Sequence, residues 1–169
     1  MTVLFPEPTT PAGSRAAVFA WYLDYFRDRV AAKLRSLPAE ELRRSLLPSG
    51  WTPLELVKHL TFMERRWLEW GFEGHPVPDP WGDRKDHRWY VAPEETLDDL
   101  LAALDARAEH TRQIIAAHDL DETGRPSERW RGKPPATLER VLFHVFQEYA
   151  RHLGHLDIVA ELAGDPTGE

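Results

Sequence analysis

Cysteine is absent from the 169-residue sequence. Disulfide bonds, thiolate metal sites and a cysteine nucleophile are therefore excluded. Any metal ion that the chain holds must be bound by histidine, carboxylate or water. A reaction at sulfur would need a thiol supplied by another molecule.

Long apolar runs and blocks of basic residues are also missing. No apolar run approaches the roughly 20 residues of a membrane helix, and residues 1–14 lack the basic-then-apolar pattern of a signal peptide. The 21 Lys and Arg residues are outnumbered by 28 Asp and Glu residues, giving a formal charge of −7. Because phosphate binding needs concentrated positive charge, nucleic acid is not expected as a partner. We expect a cytoplasmic protein that binds neither membrane nor nucleic acid.

Apolar residues recur at helical spacing in four segments of the chain. The length and the 42% hydrophobic content predict one globular domain over 1–169, with 1–12 as an extended arm. Thr52, Pro53 and Glu55 together form the pattern of an N-cap, a first-turn proline and a capping box. The predicted helices cover about 14–37, 53–70, 96–118 and 136–163.

The connections between these helices predict the fold class. No internal repeat and no convincing strand pattern occurs, apart from short extended pieces at 89–91 or 129–131. Long connections rich in proline follow the second and third helices, at 75–95 and 119–135. We therefore predict an all-α four-helix bundle, with the aromatic-rich first connection packed as one wall of a pocket. Pairing into a homodimer is compatible with such a bundle.

Polar side chains lie on the apolar side of the fourth helix. The stretch LFHVFQEYARHLGHL contains His144, Glu148, His152 and His155. At about 100° per residue these four fall within an arc of roughly 80°. His152 lies inside the apolar arc, and Glu148 is its neighbour one turn away. His59 points into the apolar face of the second helix by the same arithmetic.

Buried polar groups without partners cost a few kcal/mol, so these side chains need something to satisfy them. Glu148 and His152, joined by His59 from another helix, would form a three-ligand metal site open to water or substrate. A polar core of hydrogen bonds without metal is the alternative. The Glu64–Arg65–Arg66 run is interpreted as a solvated face. The tryptophans are interpreted as packing rather than substrate contacts: Trp51, Trp67, Trp70, Trp81, Trp89 and Trp130.

Two stretches resemble a known family. GWTPLELVKHLTFMERRWLEWGFEG and TLERVLFHVFQEYARHLGHLDIVAEL are similar to the DUF664 branch of the DinB-like superfamily, and the resemblance extends over nearly the whole chain after Ala12. The superfamily includes the mycothiol-dependent maleylpyruvate isomerase and bacillithiol or mycothiol S-transferases. The resemblance implies a DinB-like four-helix bundle that holds a divalent metal, most often zinc or nickel.

The resemblance also implies a ligand set, with one ligand from the second helix and two from the fourth. On this chain those positions are His59, Glu148 and His152. Many DinB-like members carry histidine where Glu148 stands, whereas the maleylpyruvate isomerase branch is similar to this chain in using glutamate. His155 belongs to the DUF664 pattern, and it either supports a ligand or replaces Glu148 as one.

These features favour a metal-dependent S-transferase that uses a low-molecular-weight thiol of the mycothiol type and a small electrophile. A divalent cation lowers the pKa of a bound thiol, and the cosubstrate would supply the sulfur that this chain lacks. His155 or His144 would act as catalytic residues that orient a ligand or shuttle a proton. The alternative is a non-catalytic, stress-related metal-binding bundle or dimeric scaffold.

Overall fold

A computed structural model describes residues 3–164. The predicted domain of 1–169 and the predicted arm of 1–12 extend beyond these residues. Four helices follow one another along the chain: α1 (Arg15–Ser36), α2 (Pro53–Trp67), α3 (Leu97–Ala117) and α4 (Leu138–Leu162). Short 3-10 turns at Glu41–Arg43 and Glu128–Trp130, and a π turn at Leu68–Phe72 that continues α2, complete the helical structure. The all-α four-helix prediction is confirmed.

The helices begin where side chains satisfy their free N–H groups. The Ser14 hydroxyl accepts a hydrogen bond from the Ala17 amide at the start of α1, at 3.1 Å. At α2 the Thr52 amide donates to the Glu55 carboxylate at 2.8 Å, and the Glu55 amide donates back to the Thr52 hydroxyl at 3.4 Å. The capping box that the sequence predicts is therefore formed.

The core lies between the apolar faces of the four helices. α1 packs mainly against α4, and α2 packs against both α3 and α4. Leucines and valines at helical spacing fill the interior, and Tyr149 is the largest side chain that is fully buried. None of the helices within residues 3–164 combines the length and the apolar character needed to cross a bilayer.

One buried polar network joins all four helices. The Glu64 carboxylate of α2 is only 1% exposed. It accepts hydrogen bonds from Arg27 of α1 at 2.9 and 2.8 Å, from the Thr111 hydroxyl of α3 at 2.6 Å, and from the Tyr149 hydroxyl of α4. Burial alone would raise the pKa of Glu64, but the Arg27 charge and these hydrogen bonds bring it below its ordinary value.

The expected solvated face at Glu64–Arg65–Arg66 is therefore wrong for two of its three residues. Glu64 and Arg66 are both buried, and only Arg65 is partly exposed. Their partners come from elsewhere in the chain: Arg27 for Glu64, and Asp83 for Arg66. A charge run carries no sequence signal for partners this distant, and buried charges persist only when they are paired.

The connection after α2 folds back onto that helix. Arg66 donates to both carboxylate oxygens of Asp83, at 2.7 and 3.1 Å, and to the Pro80 carbonyl at 3.0 Å. Its guanidinium carbon also lies 4.4 Å from the ring centroid of Trp81. The buried arginine thus holds residues 80–83 against α2.

A two-stranded hairpin follows this anchor, with β1 (Arg84–Lys85) paired to β2 (Arg88–Trp89). Asp86 and His87 have φ angles of 52° and 63°, so both turn residues are left-handed, as a type I′ hairpin turn requires. The extended piece expected at 89–91 is thus present in part. The alternative at 129–131 is wrong, because Glu128–Trp130 forms a 3-10 turn.

Candidate metal centre

His59, Glu148 and His152 come together between α2 and α4. Each offers one ligand atom, and these three atoms lie within 4.8 Å of one another; the part of the chain that the structure describes contains one such group. Glu148 Oε2 lies 3.9 Å from His59 Nε2 and 3.2 Å from His152 Nε2. Both histidines are 7% exposed, whereas the Glu148 side chain is 27% exposed. The histidine side of the cluster is therefore shielded from solvent, whereas the Glu148 side is accessible to it.

Asp83 fixes the orientation of the His59 ring. Its carboxylate lies 3.0 Å from His59 Nδ1, which donates the hydrogen bond. Burial opposes ionisation of Asp83, but the hydrogen bonds from His59 and Arg66 lower its pKa. The proton on Nδ1 leaves Nε2 free to face Glu148, and histidines that bind metals commonly have such a carboxylate partner.

Glu148 is held as an anion between three imidazoles. The hydrogen bond from His152 and then the nearby His59 imidazole keep its pKa well below the usual range, against the effect of burial. The second carboxylate oxygen lies 3.5 Å from His144 Nε2. His152 Nε2 lies within hydrogen-bonding distance of this carboxylate, and a divalent cation bound by the cluster would replace that hydrogen bond. The donor set of two imidazoles and one carboxylate fits a zinc or nickel ion.

Trp89 of the hairpin covers the cluster. Its ring stacks on His59 with 4.3 Å between the centroids and an interplanar angle of 20°, and it meets His152 edge-on at 5.4 Å. The centroid of the Trp51 ring lies 6.2 Å from that of Trp89 and 6.4 Å from that of His155. A cavity of about 320 Å³ opens beside these rings. Its lining residues are Ser49, Gly50, Trp51, Glu55, His87, Arg88 and Trp89.

A comparison with protein families identifies the family of this chain. A family model described as mycothiol-S-transferase matches residues 18–164, which run from the first turn of α1 to the end of the described chain. The chain belongs to the mycothiol-S-transferase family. The DinB-like assignment made from the sequence is thereby confirmed. A comparison with curated proteins finds no match.

The two other histidines of α4 in this family member lie at the edge of the cluster. The His144 ring packs on Trp67 with 4.3 Å between the centroids, and burial lowers its pKa although the Glu148 charge opposes that shift. The His155 ring contacts the His152 ring at 5.5 Å, and its pKa is lowered first by burial and then by the His152 charge. Neither belongs to the group of converging ligand atoms.

Two residues of this site are missed by sequence reasoning. Asp83 lies in a connection without periodicity, and Trp89 is interpreted there as packing alone. The structure places Asp83 on His59 and stacks Trp89 over the same ring. One signal for Asp83 existed, because a buried histidine that binds a metal through one nitrogen commonly has an acceptor for the other.

Proposed function

We propose that this protein is a divalent-metal-dependent S-transferase, which joins the sulfur of a mycothiol-type thiol to a small electrophile. The convergence of His59, Glu148 and His152 in a member of the mycothiol-S-transferase family is the observation that supports it. Zinc or nickel is the proposed ion, since imidazole and carboxylate suit both. Three protein ligands leave a coordination position for substrate.

The chain's own residues would position and shield the reaction. When bound, the ion lowers the pKa of a thiol at the open position, so that the thiolate is available at neutral pH. Asp83 holds His59 in one orientation, and Trp89 excludes water from the His59 face. His144, beside Glu148, would hold or pass a proton. His155 supports the His152 ring from its outer side.

The cavity beside Trp89 suits the hydrophilic thiol. It combines the aromatic faces of Trp51 and Trp89 with the polar side chains of Ser49, Glu55 and Arg88. Ligand sites commonly pair apolar walls with a few polar groups that fix orientation. The sulfur must come from this ligand, since the chain contains no cysteine.

Thiol transfer to chlorodinitrobenzene tests the proposal. A carbon–sulfur bond forms, the carbon–chlorine bond breaks, chloride leaves with the bonding electrons, and the thiol proton goes to solvent. We expect a rate with mycothiol that is lost on chelation and restored by zinc or nickel. Stoichiometric metal binding without any rate above background, across several thiols, would instead support the non-catalytic bundle.

Replacing Asp83 by asparagine should weaken metal binding without removing a ligand. The expected loss of affinity is about 10- to 100-fold, the usual cost of removing the partner that orients a metal-binding histidine. A titration against a competing chelator measures it. Glu95→Gln is the matched control, because Glu95 also ties this connection to α2, through Lys58 at 2.8 Å, but does not contact His59. Equal affinities in Asp83→Asn and the wild type would contradict the role of Asp83.

A further inference from the structure

Arg129 is a cation without a counter-ion among the residues that the structure describes. No residue within 3–164 forms a hydrogen bond or ion pair with its guanidinium, and its Nε atom is buried without a partner. The two buried arginines differ, since Arg27 is paired with Glu64 and Arg66 with Asp83. A buried N–H group without an acceptor is unfavourable, so the unpaired Nε atom of this half-buried side chain needs an explanation.

The position of Arg129 is fixed by the surrounding backbone. The neighbouring Trp130 indole N–H donates to the Gly71 carbonyl at 3.1 Å, and the Arg125 amide donates to the Phe72 carbonyl at 2.8 Å. Both bonds tie the connection after α3 to the end of α2. The Arg129 guanidinium carbon lies only 3.9 Å from the Trp67 ring centroid. The charge is therefore held over an indole rather than carried by a freely moving surface side chain.

The same indole links Arg129 to the candidate metal centre. The Trp67 ring contacts the His144 ring at 4.3 Å, and His144 Nε2 lies 3.5 Å from Glu148 Oε1. One tryptophan thus separates the guanidinium from the histidine–carboxylate cluster.

The surroundings of Arg129 favour an anion. Its own pKa is lowered by burial and then by the charges of Arg66 and Arg131, with no carboxylate opposing them. Guanidinium groups that stack on aromatic rings keep their N–H groups in one plane, and that geometry matches the two oxygens of a carboxylate. A neutral or cationic ligand would leave this charge unpaired.

We propose that Arg129 binds a carboxylate of the electrophilic substrate, so that the protein selects anionic electrophiles. This inference rests on the proposed S-transfer and names the substrate class for it. Arg129 acts as a specificity-determining residue. Trp67 provides the surface on which the guanidinium is held, and the electrophilic carbon lies toward His144 and Glu148.

A matched pair of aryl chlorides tests the selection. We compare 4-chloro-3,5-dinitrobenzoate with its uncharged amide, using mycothiol and the zinc-loaded protein. In Arg129→Gln we expect KM for the acid to rise about tenfold, the size of one lost charge-assisted contact, while KM for the amide stays within about twofold. Arg131→Gln is the control, since it removes the same charge from an exposed neighbour. Equal effects on acid and amide in Arg129→Gln would overturn the proposal.

A binding measurement separates this inference from the S-transfer. The unreactive 3,5-dinitrobenzoate and its amide are titrated into metal-free protein, with quenching of tryptophan fluorescence as the readout. We expect the wild type to bind the acid about tenfold more tightly than the amide and Arg129→Gln to lose that preference. If neither aryl chloride reacts, the transfer fails, yet this titration still decides the role of Arg129. Equal binding of acid and amide by the wild type would overturn it.

Discussion

Replacing His59 or His152 by alanine is expected to abolish metal binding and, with it, thiol transfer. Each variant removes one of the three ligand atoms, and the two that remain are too few to hold a divalent cation tightly. Because loss of a supporting partner already costs about 10- to 100-fold in affinity, loss of a ligand should exceed about 100-fold. Elemental analysis after dialysis, followed by a chelator competition, measures the effect.

The control for this experiment needs a histidine away from the cluster. His87→Ala serves in principle, but His87 lines the cavity proposed for the thiol, so the substitution could also affect thiol transfer. His75→Ala is cleaner, since its side chain is 54% exposed and contacts only Glu73 among the ion pairs of the described residues. If His59→Ala or His152→Ala kept wild-type affinity while remaining folded, the proposed metal centre would be wrong.

Arg27→Met is expected to lower the free energy of unfolding by about 3–5 kcal/mol, the usual cost of breaking a buried ion pair from one side. The variant leaves the Glu64 carboxylate in the core without its cation, although Thr111 and Tyr149 still donate to it. Urea denaturation in the presence of chelator measures this loss independently of any ion. The double variant with Glu64→Leu should lose much less than the sum of the two single variants, because neither charge then remains buried alone.

The decrease in the free energy of unfolding at acid pH provides a second test of the Arg27–Glu64 pair. The pKa of Glu64 is lower in the folded protein than its ordinary value of 4.5. Its contribution is therefore complete above about pH 4.5 and is lost as pH falls through the folded-state pKa. Glu64→Gln should flatten this part of the profile. Glu109→Gln, which removes an exposed partner of Arg112, should leave the profile almost unchanged. A Glu64→Gln profile as steep as that of the wild type would show that Glu64 does not titrate there.

Local sequence signals were sufficient for the helices and for one face of the site. Thr52 and Glu55 marked the start of α2, and the spacing of Glu148 and His152 placed both on one side of α4. Each of these inferences depends on residues within a few positions of one another, where helical geometry is fixed. The convergence with His59 followed from the two apolar faces, which must meet in a bundle.

Contacts between distant segments were beyond such signals. Asp83 approaches His59 across 24 positions, and Arg27 reaches Glu64 across 37. No sequence spacing predicts either contact, so the charge run of α2 was interpreted as solvated. The stacking of Trp89 on His59 is likewise a contact between distant segments, so Trp89 was interpreted as packing. Arg129 was not singled out from the sequence for a different reason. Its interest is that no described residue pairs with its guanidinium, and only the folded structure shows this.

The polar network around Glu64 has a consequence for how an ion would enter. It ties one side chain from each helix into a single hydrogen-bonded layer, and none of its members is a proposed ligand. The scaffold can thus assemble before any cation arrives, unlike small domains whose folding waits for zinc. We expect the helical circular dichroism signal to survive exhaustive chelation. The metal ion would then bind after the protein has folded. The supply of metal ions in the cell, rather than the folding reaction, would determine which metal occupies the site.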